Sequence, residues 1–211
     1  MDLTNLNLPS FKHFPNKKIY QMDTNYFENQ SFLKEDYCGK PLIKGDYENC
    51  MFTNCNFSDS DLSGIHFFKC TFNTCNISNA GMKNTSLSNI VFKDCKLLGV
   101  HFENCNKFLF IVDFENCNLN FSSFFQVNLK KRLFKNCNLQ DVDFTETDLS
   151  SVYFNNCDLA NANFDNTILE KANLTSAINY TIDPEKNRIK KAKFSQAGLI
   201  GLLGKYDIVI E

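Results

Sequence analysis

Ten cysteines and three histidines are the residues of this 211-residue chain whose types could do chemistry. Cys50 and Cys55, and again Cys70 and Cys75, are separated by four residues, and clustered thiolates are ligands for zinc. Free cysteine is also a small apolar residue that is commonly buried. Because the cysteines recur regularly along the chain, a structural role is the better interpretation. The sequence therefore predicts no metal site and no cofactor.

The remaining polar residues do not form a recognisable catalytic set. His13, His66 and His101 are far apart, whereas a general base needs a partner within hydrogen-bond reach. Serines are plentiful, but there is no GxSxG elbow, glycine-rich phosphate loop or HExxH motif. Paired carboxylates such as Asp141 and Asp143 are expected on a convex surface without a cleft. We expect a protein that is not an enzyme and has no small-molecule substrate.

The elements that must position these residues repeat every five residues. From Phe27 to Phe102 a large apolar residue occupies every fifth position. After a two-residue offset the pattern resumes at Leu109 or Phe114 and continues to Leu174. A period of five fits neither an α-helix nor a β-strand. The excess of phenylalanine, 22 residues against no tryptophan, follows from this pattern.

Residues twenty apart also resemble each other, which indicates a coil with four five-residue sides. The signature FxNCNL recurs as FTNCNF, FNTCNI, FKDCKL, FENCNL, FKNCNL and FNNCDL. Such coils would stack about 4.8 Å apart, like β-strands, and each coil would be stabilised by its neighbours. The predicted core ladders are Phe52, Phe72, Phe92, Phe114, Phe134 and Phe154, and Cys55, Cys75, Cys95, Cys117, Cys137 and Cys157.

Each quintuplet has the order small, polar, large, polar, polar, as in residues 157–161 (CDLAN) and 162–166 (ANFDN). This motif resembles the A(D/N)LXX motif of the pentapeptide-repeat family, and the resemblance covers roughly residues 25–174. It implies an all-β fold, a right-handed quadrilateral β-helix solenoid with four five-residue faces per coil. Cys50 and Cys55 would then lie on different faces, which argues further against a shared metal.

The ends of the repeat suggest four segments. Residues 1–24 are expected to form an N-terminal cap segment and residues 25–174 the β-helix. Residues 175–191 look like a polar excursion, and residues 192–211 contain two closing repeats and a C-terminal tail. The tail combines a short helical pattern over 196–206 with a strand-like alternation in its last five residues, DIVIE.

Charge is distributed unevenly, although the formal net charge is only −2. Residues 23–174 carry 19 acids and 13 bases, and residues 136–170 hold seven acids and no lysine or arginine. A surface of one sign attracts partners of the other, so this end of the rod is expected to attract a protein that grips DNA phosphates. Alternatively, outward Asp and Asn merely suit the turns and keep a solenoid soluble. The candidate partner-binding acids are Asp141, Asp143, Glu146, Asp148, Asp158 and Asp165.

The size of the chain, its break after Phe102 and its apolar tail are similar to the quinolone-resistance (Qnr-type) branch of this family. The resemblance implies a homodimer that imitates duplex DNA, binds type II topoisomerases (DNA gyrase or topoisomerase IV) and protects them from quinolones. The implied topoisomerase contacts at the break are Asn104, Lys107, Phe108, Phe110 and Arg132. The implied dimer contacts are Leu199, Ile200, Leu202, Leu203, Ile208 and Ile210.

Two details can be compared directly with a structure. Lys107 and Arg132 fall at the small inward position of the repeat, where an unpaired charge is costly, so both are expected to turn outward at local bulges. Cys38 and Cys105 lie where the repeat is weak, and these two cysteines are expected to be exposed.

The alternatives differ in the class of protein. One is a generic interaction or scaffold protein with a partner unrelated to DNA topology, which the small size of the break favours. A weaker one is an enzyme or metal protein that uses the cysteine columns. The sequence has no basic, apolar leader and no run of 18 apolar residues. We therefore expect a cytoplasmic protein that contacts neither a membrane nor nucleic acid directly.

Overall fold

The chain winds as a solenoid of short parallel strands in the computed structural model, which describes residues 25–206 and 208–209. The predicted cap segment 1–24 and Ile210 lie outside the described residues. The strands are β1 (Asn25–Glu28), β2 (Ser31–Leu33), β3 (Gly45–Glu48), β4 (Met51–Thr53), β5 (His66–Phe68), β6 (Thr71–Asn73), β7 (Ser86–Ser88), β8 (Ile90–Lys93), β9 (Val112–Glu115), β10 (Leu133–Lys135), β11 (Tyr153–Asn155), β12 (Asn173–Leu174) and β13 (Lys193–Phe194).

Each coil has four sides, which are defined here in the coil of residues 127–146. Face 1 is 127–131, face 2 is 132–136, face 3 is 137–141 and face 4 is 142–146. The strands β1, β3, β5 and β7 form a parallel sheet on face 1, and the other nine form a parallel sheet on face 2. Single parallel bridges join the coils on faces 3 and 4, and on face 1 in the C-terminal half. The predicted quadrilateral β-helix is confirmed.

The predicted core ladders are confirmed. Phe134 pairs in register with Phe114 and with Phe154, and its ring stacks on theirs at centroid distances of 5.0 and 5.2 Å. All twelve ladder residues are at most 3% exposed. Because every coil presents the same large residue at the same place, one favourable packing arrangement is repeated along the rod.

The corners of the coil explain the abundance of asparagine. The last residue of nearly every quintuplet has a left-handed backbone, as at Asn136 (φ 53°) and Asn156 (φ 52°). Asn tolerates this conformation better than most residues because its side chain bonds locally. At the corner between faces 2 and 3, Asn136 Nδ2 donates to Asn116 Oδ1 (2.9 Å) and Asn156 Nδ2 donates to Asn136 Oδ1 (3.2 Å). Corner amides thus link successive coils.

The segment 175–191 leaves the coil register only in its middle part, which narrows the predicted excursion. Ile178 and Arg188 form bridges to residues exactly one coil earlier, Asp158 and Ile168. The side chain of Asn187 donates to the Phe164 carbonyl, as Thr167 does to the carbonyl of Phe144. Between these two bridges, residues 179–186 form no backbone hydrogen bond with the coil before them, and a cavity lies between the two coils on face 4.

The tail following β13 forms two 3₁₀ helices, Ala197–Leu202 and Gly204–Tyr206. Gly198 and Gly201 lie directly against Tyr180, and a Cβ at either position would overlap Tyr180 atoms. The glycines that weaken a helical pattern are therefore required for the tail to pack on the last coil. Ile208 lies outside any strand, so the predicted strand-like end is not formed at this residue.

Candidate interaction surfaces

The cysteine ladder is part of the backbone hydrogen-bond system. Cys137 Sγ lies 3.6 Å from the Phe114 carbonyl oxygen, and Cys157 Sγ lies 3.4 Å from that of Phe134. Thr147 occupies the corresponding position on face 1, and its hydroxyl donates to Phe124 in the same way at 2.7 Å. The thiols therefore act as weak donors toward the coil before them.

Burial favours the protonated form of two buried thiols outside this ladder, Cys70 and Cys105. Desolvation raises the pKa of Cys70 to about 12, and that of Cys105, also affected by the Glu103 charge, to about 12. Only Cys38 is exposed, so the expectation that Cys105 is exposed is wrong. Cys105 fills the small inward position just before the break. In the part of the chain that the structure describes, no three His, Cys, Asp or Glu side chains are grouped as a metal site would require.

The predicted acidic surface is divided among three faces. Asp143 lies on face 4, while Asp141 and Glu146 occupy the two corners that bound it. Asp165 lies on face 4 of the next coil, with the Lys186 ammonium 4.0 Å away. The other two predicted acids, Asp148 and Asp158, stand on faces 1 and 3 respectively.

In the coil of residues 127–146, the acids on face 4 and its corners are not neutralised by a cationic side chain among the described residues. Asp141, Asp143 and Glu146 form no ion pair with any described residue. Asp143 accepts hydrogen bonds from Thr145, and Glu146 accepts one of 2.7 Å from Gln126 Nε2. We call face 4 with its two corners the acidic face. Three further acids lie on this face in earlier coils and were not among the predicted partner contacts, namely Asp59, Asp61 and Glu103.

Asp158 shows how a single acid is held charged on face 3. Partial burial by itself would raise the pKa of Asp158, but hydrogen bonds from Gln140 Nε2 and Asn179 Nδ2, both 2.8 Å, lower it overall. The backbone N–H of Ala160 adds a third bond. Asp158 therefore joins neighbouring coils, and its oxygens are already occupied by partners within the chain.

The break in the repeat lies within residues 107–111. Asn106 still aligns with residues one coil earlier, since its N–H donates to Thr85, and Val112 pairs with Ile90. The two extra residues between them form a small projection on face 1. Phe108 is 76% exposed, and Leu109 is 56% exposed with a left-handed backbone (φ 56°).

The structure corrects one residue of the predicted partner contact at the break. Phe110 is only 7% exposed and packs edge-to-face against Phe102 at 6.1 Å. It fills the core position that Leu109 was expected to resume, and Leu109 is exposed instead. The exchange follows from the insertion, because two extra residues shift which side chain points inward. Of the other predicted contacts near the break, Asn104, Lys107 and Phe108 are exposed.

Both charged residues at inward positions are turned away from the core. Lys107 is exposed and its Nζ donates to the Gln126 carbonyl at 3.3 Å. Arg132 is partly buried, with its guanidinium 3.7 Å from Asp113 and its Nε bonded to the Lys130 carbonyl. The two side chains line the same surface depression beside the break. The expectation that they turn outward is confirmed, but the expected bulge is present only at Lys107, because Arg132 keeps the regular backbone bonds of its corner.

The tail presents apolar side chains to solvent. Leu199 is 47% exposed, Ile200 61% and Ile208 55%. Leu202 and Leu203 are partly buried, and Leu202 packs against the core. Lys205 binds Asp183 and Glu185 of the last full coil at 3.1 and 2.6 Å, which fixes the tail on the rod. This placement leaves one apolar patch at the C-terminal end.

Comparison with known proteins identifies the family. The family model for the pentapeptide repeat region matches residues 46–107 and 107–181. The chain belongs to the pentapeptide-repeat family. A search of curated proteins finds no significant match to this pentapeptide-repeat protein. No helix in the described part of the chain has the length and apolar character needed to span a membrane.

Solved structures of similar fold include pentapeptide-repeat proteins of known name. A trypsin-treated variant of QnrB1, a plasmid-mediated fluoroquinolone resistance protein, is 18% identical, covers 89% of this chain and 100% of its own, and gives a TM-score of 0.59. A second trypsin-treated QnrB1 variant, also 18% identical, covers 89% of this chain and 99% of its own and gives a TM-score of 0.55. HetL is a heterocyst-regulation protein of the cyanobacterium Nostoc sp. strain PCC 7120. It is 14% identical, covers 82% of this chain and 85% of its own, and gives a TM-score of 0.42. The two QnrB1 comparisons show that this pentapeptide-repeat protein has a Qnr-like fold.

Proposed function

We propose that this pentapeptide-repeat protein is a non-catalytic, DNA-mimicking binding protein of the cytoplasm that engages a type II topoisomerase, DNA gyrase or topoisomerase IV, and protects it from quinolones. One observation carries the proposal: Asp141, Asp143 and Glu146 cross the whole width of face 4 without a cation partner among the described residues. A surface that binds DNA is positively charged, so a rigid row of carboxylates is complementary to it. The Qnr-like fold supports the same partner.

The rigidity of the acidic face favours imitation of a duplex. The three carboxylates are fixed by a backbone that is hydrogen-bonded to the coils on both sides, as in the N–H of Asp143 donating to Ser122 and that of Phe144 donating to the Asn163 carbonyl. Little conformational entropy is therefore lost when a partner binds. Disordered acidic segments, by contrast, lose that entropy on ordering.

The decisive experiment is gyrase supercoiling with ciprofloxacin, titrated with the purified protein. We expect restored supercoiling in the presence of the drug. The triple variant D141N/D143N/E146Q should lose this protection, because it removes charge while keeping side-chain shape. The matched control E28Q/D36N/D94N removes three acids from other faces and should protect normally. If micromolar protein gives no protection from the drug and no inhibition of the enzyme, the proposal is contradicted.

A homodimer through the C-terminal tail is the second part of the proposal. It rests on the exposed Leu199, Ile200 and Ile208, which together leave apolar surface that a second copy could cover. Leu202, Leu203 and Ile210 were expected in the same contact. Deletion of residues 196–211 should give a monomer or an insoluble chain by light scattering. A soluble dimer of unchanged mass after this deletion would refute the contact.

A generic interaction protein is the alternative that the break favours. The projection contains only two extra residues, and its exposed side chains, Phe108 and Leu109, are apolar and not acidic. Such a projection suits a protein partner unrelated to DNA topology. Under this alternative, F108A would abolish partner capture while D141N/D143N/E146Q would leave it intact, which is the reverse of the pattern expected for a DNA mimic.

A further inference from the structure

A row of lysines follows the corner between faces 1 and 2 in the C-terminal half of the rod. On a four-sided coil this corner is diagonally opposite the corner occupied by Asp141, so it lies away from the acidic face. We call this row the lysine edge. Its members are all exposed and comprise Lys130, Lys131, Lys171, Lys190, Lys191 and Lys193.

The coil register stacks these lysines along the rod. The N–H of Lys131 donates to Ser150, that of Ser151 to Glu170 and that of Lys171 to Lys190, so each corner lies directly over the next. At a coil spacing of about 4.8 Å, Lys171 and Lys191 are one step apart and Lys131 is two steps further. Lys193 follows in register with Asn173 on the adjoining strand. The positive charges therefore form a straight line.

The positive charge of the lysine edge is not neutralised by acidic side chains of the described residues. None of its six lysines forms an ion pair with a residue that the structure describes. The one acid in this row, Glu170, is bound by Arg188 at 2.7 Å. Lys107, Lys130 and Arg132 line the depression at the end nearest the break. The edge therefore offers unneutralised cations to a partner.

The backbone gives no reason for lysine at this corner. Lys131, Lys171 and Lys191 have left-handed backbones, with φ of 62°, 60° and 61°. Asn, Asp and Gly adopt this conformation at lower cost, and Asn fills the same corner at positions 49 and 89. The backbone therefore does not account for lysine at three of the four corners of this row from 131 to 191.

We propose that the lysine edge binds a strand of nucleic acid through its phosphates. A straight row of cations, interrupted only at Ser151 among its corners, matches a linear polyanion better than a compact anion. Tyr153, half exposed between Leu133 and Asn173 in the strand register, lies beside the row and offers a ring on which a base can stack. The partner is therefore single-stranded, and phosphate contacts supply most of the affinity.

This inference does not depend on the proposed topoisomerase partner, because it uses the opposite side of the rod. It revises the sequence-based expectation of no direct contact with nucleic acid. The formal net charge of −2 averages the acidic face and the lysine edge. Only the coil register shows that the two signs are on different sides.

The test is fluorescence anisotropy of a labelled DNA strand of about 16 nucleotides, titrated with the full chain at several salt concentrations. We expect a plot of the logarithm of the association constant against the logarithm of the salt concentration to have a slope of about −4. Each of the six phosphate contacts contributes about −0.7 to this slope. The variant K131N/K171N/K191N should bind at least about tenfold more weakly with a slope of about −2. Asn suits the left-handed corners, so this variant should fold as well as the parent.

The matched control is K34N/K93N/K96N, which removes three lysines from other positions and includes a left-handed corner at Lys34 (φ 56°). It should bind like the parent. Y153A should weaken binding to the single strand by several-fold and leave the salt slope unchanged. Equal losses in both triple variants would overturn the proposal. So would absence of salt-dependent binding, or tighter binding to anionic lipid vesicles than to the strand.

Discussion

The rings of Phe102 and Phe124 stack at a centroid distance of 4.6 Å with planes 6° apart, although 22 residues separate them instead of 20. Elsewhere in the same ladder, Phe124 and Phe144 stack across 20 residues at 5.5 Å. The insertion is thus absorbed between Asn106 and Val112 without disturbing the core. The projection is added to a complete coil, so we expect the coil to fold without it.

Replacing residues 107–111 with Leu-Ser-Asn, the residues found at 87–89, should restore the twenty-residue repeat. We expect a folded protein with a melting temperature equal to or higher than the parent's, because two exposed apolar side chains and the left-handed Leu109 are removed. Circular dichroism melting measures this. A protein that fails to fold would show that the projection is structural.

Phe134→Ala should destabilise the rod by about 3–5 kcal/mol, because the phenyl ring is fully buried between Phe114 and Phe154 and leaves a cavity. Urea unfolding followed by circular dichroism gives the change. Phe108→Ala, at a residue 76% exposed, is the control and should alter stability by less than about 0.5 kcal/mol. Similar losses for both variants would contradict the ladder.

Phe121→Asn should stabilise the protein by about 1 kcal/mol. Phe121 is 64% exposed and has a left-handed backbone (φ 61°), a conformation that Asn adopts more easily. Removing Asn from a corner should have the opposite effect. Asn136→Val should lower the free energy of unfolding by more than about 1 kcal/mol, because a branched side chain suits the left-handed corner poorly and the hydrogen bonds to Asn116 and Asn156 are lost. Thermal melts of the two variants should move in opposite directions.

The cysteines should differ sharply in reactivity. A short treatment of the native protein with iodoacetamide at pH 8 should modify Cys38 alone, because the other nine thiols are buried. Denaturation in urea should expose all ten to modification. Intact-mass spectrometry counts the adducts, and Cys38→Ser should reduce the native count to zero. Rapid native labelling at Cys105 would contradict its burial.

Stability should fall in alkaline solution. Burial raises the pKa of Cys70 and Cys105 from 9.0 to about 12. Between these values the unfolded chain releases a thiol proton that the folded chain retains, so the stabilising contribution is complete below about pH 9 and is lost as the pH rises toward 12. Cys105→Val, which copies the residue at position 127, should lessen the drop in melting temperature between pH 8 and pH 10. An unchanged drop would argue against this coupling.

The sequence by itself determined the architecture. A large residue every five positions and a signature every twenty are enough to specify four faces, the Phe134 and Cys137 ladders and the register of the coils. The physical reason is that each coil contacts only its neighbours, so that local spacing along the chain fixes which residues meet. The same periodicity placed Asp141, Asp143 and Glu146 on the surface.

Only the tertiary structure decided what the irregular residues do. The insertion could be placed to within a few residues by counting, but the exchange of Phe110 for Leu109 in the core depended on the exact path of the loop. Segment 175–191 looks polar throughout, and yet its two ends return to the coil register at Ile178 and Arg188, where they bond to the preceding coil. The separation of the acidic face from the lysine edge likewise depends on the coil. Charges interleaved along the chain are sorted onto opposite sides only when the backbone turns a corner every five residues.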